Sequence, residues 1–146
     1  MKKIMALALF LASFAGYSQI ELVETESSEI ISKVSYLYLE KKGENEYSFY
    51  YKNMNSVGHE YANFTFKDLD NDLEKLYQII VKGFEEKPRD PLKIKANGAV
   101  VWLNYKTDDI SGETLLTVEQ FEDEDPEVSS VSRPVNKEDI DKLFRK

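Results

Sequence analysis

The hydrophobic rhythm of this chain changes period along its length, and that change limits what it can fold into. Between Val34 and Lys67 apolar and polar residues alternate every two positions in three blocks, the pattern of half-buried strands. In Val34 to Lys41, Ser35, Leu37 and Leu39 point one way and Val34, Tyr36 and Tyr38 the other. Tyr47 to Asn53 puts Tyr47, Phe49 and Tyr51 on one face, and Tyr61 to Lys67 does the same with Ala62, Phe64 and Phe66. The connections are short and polar, with Gly43 and Asn45 in the first and Gly58 in the second, which suits hairpin loops. An antiparallel meander is expected.

The period then becomes 3.6. Leu69, Leu73, Leu76, Tyr77, Ile80 and Phe84 form one stripe of an amphipathic helix. Asp68, Asp70, Asp72 and Glu74 crowd its start, where the helix dipole favours negative charge. Asn71 and Glu74 have the spacing of a capping box, and Gly83 and Pro88 mark where the helix weakens and stops. Alternation returns at Leu92, Ile94 and Ala96, followed by Asn97-Gly98, a strong signal for a two-residue hairpin turn. Ala99 to Tyr105 reads as a central strand with Trp102 in the core, Asp108 to Gly112 as a turn, and Thr114 to Phe121 as another strand. Glu122 to Glu127 reads as an acidic loop broken by Pro126, and Val128 to Ser132 as a short strand. Asn136 is placed to cap a final short helix buried through Ile140, Leu143 and Phe144. The expected fold is α+β: an antiparallel sheet of about six strands, in the order β-β-β-α-β-β-β, packed on one amphipathic helix with a short C-terminal helix. The two three-stranded halves suggest a duplication, but their residues do not match, and no repeat of constant period is present.

The first 18 residues stand apart from this pattern. Lys2 and Lys3 precede an apolar run from Ile4 to Ala12, and Gly16 and Ser18 are small residues before Gln19. The segment resembles a cleavable signal peptide of the general bacterial type, and it is shorter than the roughly 20 apolar residues of a membrane anchor. The domains expected are therefore residues 1–18 as signal peptide and residues 19–146 as one small acidic domain, its first residues to Ser28 a loose arm. Export to the periplasm or the medium follows, with no membrane span after cleavage. Cleavage removes Lys2 and Lys3 and leaves 17 basic against 27 acidic residues, moving the net charge from −8 to −10. That charge argues against nucleic acid as a partner. The chain has no Cys, so it has neither disulfides nor thiolate chemistry, and its stability must come from a core.

Motifs for catalysis or metal binding are weak. His59 is the only histidine; no G-x-S-x-G turn accompanies it, and one His without Cys cannot build a multi-histidine zinc site. Asp68 to Asp72 begins like an EF-hand loop, but its sixth and twelfth positions hold Leu73 and Ile79 in place of Gly and Glu. Glu119 is the best-isolated acid in an apolar run, and the outward face of a strand explains it. No catalytic residue, metal site or cofactor is expected.

The informative feature is aromatic. With Leu37, Leu39, Phe49, Tyr51, Phe64 and Phe66 turned to the helix, the opposite sheet face carries Tyr36, Tyr38, Tyr50 and Tyr61, with Lys52, Asn63 and Thr65 among them. Tyrosine joins apolar area to a hydrogen-bonding tip, which suits a sugar ring or a protein partner, although tyrosines also pair across strands for stability alone. The favoured reading is a non-enzymatic binding module. A small hydrolase using carboxylates or His59, and an acidic inhibitor acting by charge, are the alternatives.

Overall fold

The computed structural model describes residues 27–58, 60–122 and 125–146. Residues 1–18, expected to form a signal peptide, most of the expected N-terminal arm and His59 lie outside the described residues. Eight strands and two helices follow in order: β1 (Ser28–Val34), β2 (Leu37–Lys42), β3 (Glu46–Lys52), β4 (Tyr61–Lys67), α1 (Asp72–Glu86), β5 (Leu92–Ala96), β6 (Ala99–Thr107), β7 (Thr114–Glu122), β8 (Asp125–Val131) and α2 (Lys137–Leu143). The fold is α+β. It has two four-stranded antiparallel meanders, β1-β2-β3-β4 and β5-β6-β7-β8, in place of one sheet of about six strands.

Two strands account for the difference. Val34 ends β1, and Ser35-Tyr36 form a two-residue turn into β2 with Ser35 at φ 41°. Ser35 lacks the Asn-Gly signature of such a turn, so the alternation ran on unbroken through it in sequence. The expected arm ends at Ser28 and the expected first strand begins at Val34, so Glu29 to Lys33, which form most of β1, fall outside both. At the other end β7 and β8 close in on the acidic stretch from both sides, with Glu122 paired to Asp125, so no long loop separates them.

The helices cross between halves. α1 follows the first meander yet packs against β6 and β7, and α2 follows the second yet packs against β1 and β2 as well as β7. The two helices also touch, through the Tyr77 and Phe144 rings and a Tyr77 hydroxyl bond to Asp141 at 2.8 Å. One core results: Leu37, Leu39, Phe49 and Tyr51 from the first sheet, Val101, Leu103, Leu116 and Val118 from the second, Leu76, Ile80 and Phe84 from α1, and Ile140 and Leu143 from α2. Burial of a side chain of this size contributes roughly 1.5–3 kcal/mol, and no half could form this core alone. The apolar stripe of α1 is buried as its period requires, except that the helix begins at Asp72 and leaves Leu69 outside it, 72% exposed.

The caps differ from the sequence pattern at one helix and match it at the other. Asn71 is the N-cap of α1, in the left-handed region, and its side chain makes no cap bond. Its neighbours satisfy the helix start: Asp68 accepts from the Leu73 amide at 3.3 Å, and Asp72 accepts from the Leu69 amide at 3.0 Å. Asn136 caps α2 by accepting from the Asp139 amide at 2.9 Å.

Candidate functional site

The inward alternation of β2, β3 and β4 fixes an outward face by subtraction. Leu37, Leu39, Phe49, Tyr51 and Phe64 are buried, so their neighbours must point away. Register sets Tyr38 opposite Tyr50 and Lys52 opposite Tyr61. The Tyr38 and Tyr50 rings stack at 4.3 Å between centroids and 9° between planes, and Tyr61 leans on Tyr38 at 5.4 Å. These three tyrosines form one cluster on the face, with exposed Asn63 opposite Tyr50.

Tyr36 belongs to the β1–β2 turn rather than to a strand, and it is 41% exposed. Its carbonyl accepts from the Lys52 amide at 3.0 Å, which draws it to the end of the same face. Two cations sit over its ring, the Lys52 ammonium at 4.8 Å and the Arg133 guanidinium at 4.6 Å. Lys33 adds a third cation opposite Tyr38. Arg133 lies in the segment leading to α2, nearly a hundred residues from Tyr36 in sequence, and no local signal ties it to the tyrosines.

Burial pushes the Tyr38 and Tyr50 phenols up, and the nearby Glu40 carboxylate adds to both shifts. They therefore remain neutral hydroxyls able to donate and accept. Ser48 is fully buried, and its hydroxyl is a buried polar group without a partner in the described structure.

The second sheet corrects one assignment. Trp102 is not in the core; it faces outward on β6, half-buried, opposite Lys93 on β5 and Glu119 on β7. Phe121 meets it edge-on at 5.0 Å, and the Lys93 ammonium lies 4.2 Å from its ring. Val100, Val101 and Leu103 make the run around it continuously apolar, which hid the alternation: Val101 and Leu103 point in, Val100 and Trp102 out. Glu119 does point outward, where it accepts from Asn104 at 3.2 Å.

Among the described residues no group of three or more His, Asp or Glu side chains converges as a metal site, and no helix is long and apolar enough to cross a membrane. Among the described residues the carboxyls with a displaced pKa move down: Glu74 through Lys146, Asp108 through Ser111, Glu138 through Lys142 and Asp141 through Lys137. No family model, curated protein or solved structure matches the chain.

Proposed function

We propose that this protein is a non-catalytic binding module, exported to the bacterial periplasm or the medium, that takes a protein or glycan partner on the outward face of its first sheet. The observation that supports it is the cluster of Tyr38, Tyr50 and Tyr61 on an outward face, with Tyr36, Lys33, Lys52 and Arg133 at its end. Rings with polar tips beside cations offer stacking, hydrogen bonds and charge together. The cations at this face also favour it over an acidic inhibitor acting through negative charge.

Immobilised protein is exposed to envelope extract and to a panel of soluble oligosaccharides. A bound species retained by the wild type is expected to be lost from a Tyr38→Ser, Tyr50→Ser, Tyr61→Ser variant of preserved circular dichroism. A Trp102→Leu variant on the other sheet is expected to retain it. Equal retention by the triple variant would dispose of the reading. The export half is read separately: N-terminal sequencing of the processed protein is expected to begin at or near Gln19, and an uncleaved Met1 would contradict it.

A further inference from the structure

Each meander ends in edge strands, and an edge strand presents unpaired N–H and C=O groups unless something covers them. At β1 the Arg145 side chain donates to the Ile31 carbonyl, Ser32 bonds the Leu143 carbonyl, and a bulge interrupts the register between Ile30 and Ser32. At β8 the Met54 amide donates to the Val131 carbonyl at 2.8 Å, the Asn53 side chain accepts from the Val131 amide at 3.1 Å, and Asn55 donates to the Ser129 carbonyl at 2.8 Å. At β5 exposed Lys93 and Lys95 occupy the edge strand, a common guard against pairing.

β4 is different. Its ladder to β3 is bracketed by the Asp68 amide bond to the Asn45 carbonyl at 2.7 Å and the Asn53 amide bond to the Glu60 carbonyl at 2.9 Å. Antiparallel bonding alternates residue by residue, so Ala62, Phe64 and Phe66 turn their backbone groups to β3. Those of Tyr61, Asn63, Thr65 and Lys67 point away from the sheet. Among the described residues none of these outward groups has a backbone partner; β5 approaches this edge, and the one hydrogen bond there is between side chains, Asn97 to Thr65 at 3.3 Å.

Beside this edge, between β4, α1 and β5, runs a groove of about 460 Å³. Phe64, Phe66, Leu76 and Ile94 line it, with Leu69 and Ile79 at its border, 72% and 39% exposed. Its charged lining is Lys67, Lys75, Lys95 and Asp72. Lys75 is engaged by Asp70 at 3.2 Å and Asp72 at 3.8 Å, whereas Lys67 and Lys95 make no ion pair among the described residues. Two unpaired cations over an apolar floor contrast with a chain of net charge −8.

We propose that β4 and this groove form a docking site for an extended segment of another polypeptide, alternating apolar and acidic residues, that adds to β4 as a further strand. The backbone edge selects a peptide over a lipid, because only a peptide answers a row of N–H and C=O groups. Alternation follows from the pleat: every second side chain of the incoming strand falls toward Phe64, Phe66 and Leu69, and acidic residues are drawn to Lys67 and Lys95. The site uses the backbone edge of β4 and the groove beside it rather than the tyrosine rings; Tyr61 gives its amide to the edge and its ring to the stack.

The probe is a blocked hexapeptide alternating valine with glutamate, compared with its valine–lysine counterpart by amide-resolved NMR titration and hydrogen exchange. The glutamate peptide is expected to bind at least about tenfold more tightly and to protect the Tyr61, Asn63 and Lys67 amides. A Lys67→Glu, Lys95→Glu variant is expected to invert the preference between the peptides. Asn63→Pro removes one outward donor without touching the β3 ladder and is expected to abolish binding that Asn63→Ala keeps; if the proline variant does not fold, the charge-reversal pair decides. Three results would overturn the proposal. One is equal affinity for both peptides. Another is protection of the three amides in the free monomer, which means the chain covers its own edge. The third is protection that appears only with concentration-dependent dimerisation, which makes the occupant a second copy. Loss of partner binding by the tyrosine variants bears on none of these outcomes.

Discussion

The two halves of this protein run through the same order of elements, four strands and then a helix, yet they share almost no sequence. Each opens with a two-residue turn whose first residue is left-handed, Ser35-Tyr36 in one and Asn97-Gly98 in the other, with φ of 41° at Ser35 and 48° at Asn97. Their outward faces differ in chemistry: stacked tyrosines with Lys52 in the first, Trp102 and Phe121 with Lys93 in the second. What binds them is exchange. Each helix packs on the other half's sheet, and each half sends a tyrosine hydroxyl across: Tyr51 of β3 to Gln120 of β7 at 2.7 Å, and Tyr105 of β6 to the Ile80 carbonyl of α1 at 2.7 Å. Equivalent positions therefore meet different partners, which removes the pressure for a repeated sequence while the topology repeats.

The largest effect is expected where the exchange is tightest. A Cβ at Gly83 would lie 2.1 Å from Cζ of Tyr105. Tyr105 cannot yield freely, since its hydroxyl bonds the Ile80 carbonyl and its ring meets Phe84 edge-on at 5.2 Å. Gly83→Ala is therefore expected to lower stability by about 1–3 kcal/mol in urea unfolding, even though alanine is the better helix former. The same substitution in a Tyr105→Leu background should cost clearly less. Equal losses in both backgrounds would show that the halves do not depend on this contact.

Legibility in the sequence follows the same division. The period of α1, the Asn97-Gly98 turn and the Asn136 cap were readable because each rests on local chemistry that the named residues carry themselves. The Ser35-Tyr36 turn, the outward Trp102 and the pairing of the acidic segment were not, because tertiary context decides them. Trp102 sits in a continuous apolar run whose two faces only the second sheet's packing tells apart. At the candidate site, Tyr38, Tyr50 and Tyr61 followed from period-two alternation, whereas Tyr36 was assigned to a strand and lies in a turn. Arg133 was invisible, since it reaches Tyr36 only through the path of the chain before α2.

The exchanged hydroxyls give a second, smaller test. Burial pushes the Tyr51 and Tyr105 phenols well above their usual range. A phenol raised on folding is neutral in the folded protein at pH values where the unfolded chain already ionises. The stability it contributes is complete below the unfolded value near 10 and is lost as pH rises above it toward the folded value. Each tyrosine should steepen the alkaline loss by at most about 1.4 kcal/mol per pH unit, the half-buried Tyr105 by less than the fully buried Tyr51. Tyr51→Phe and Tyr105→Phe should each flatten urea-unfolding stability plotted from pH 9 to pH 11. A flat wild-type curve would mean that neither hydroxyl is shielded and that the two halves are joined by apolar packing alone.

The smallest effect separates two asparagines at corresponding places, one before each helix. Asn136 holds extended backbone at φ −93° and accepts from the Asp139 amide, so its side chain is part of the helix end. Asn71 holds left-handed backbone at φ 60° and its side chain caps nothing; Asp68 accepts from the Leu73 amide instead, while Asp72 reaches back to the Leu69 amide before the helix. Asn136→Ala is expected to lower stability by about 1 kcal/mol through the lost cap. Asn71→Gly is expected to be neutral or slightly stabilising, because glycine adopts that backbone without strain. The Asn136 loss should also appear as faster amide exchange in β1 and β2, which α2 covers, rather than in β5 and β6, which belong to its own half. Exchange rising first in β5 and β6, which α2 does not cover, would mean that α2 serves the sheet it follows, and the crossed arrangement would lose its energetic meaning.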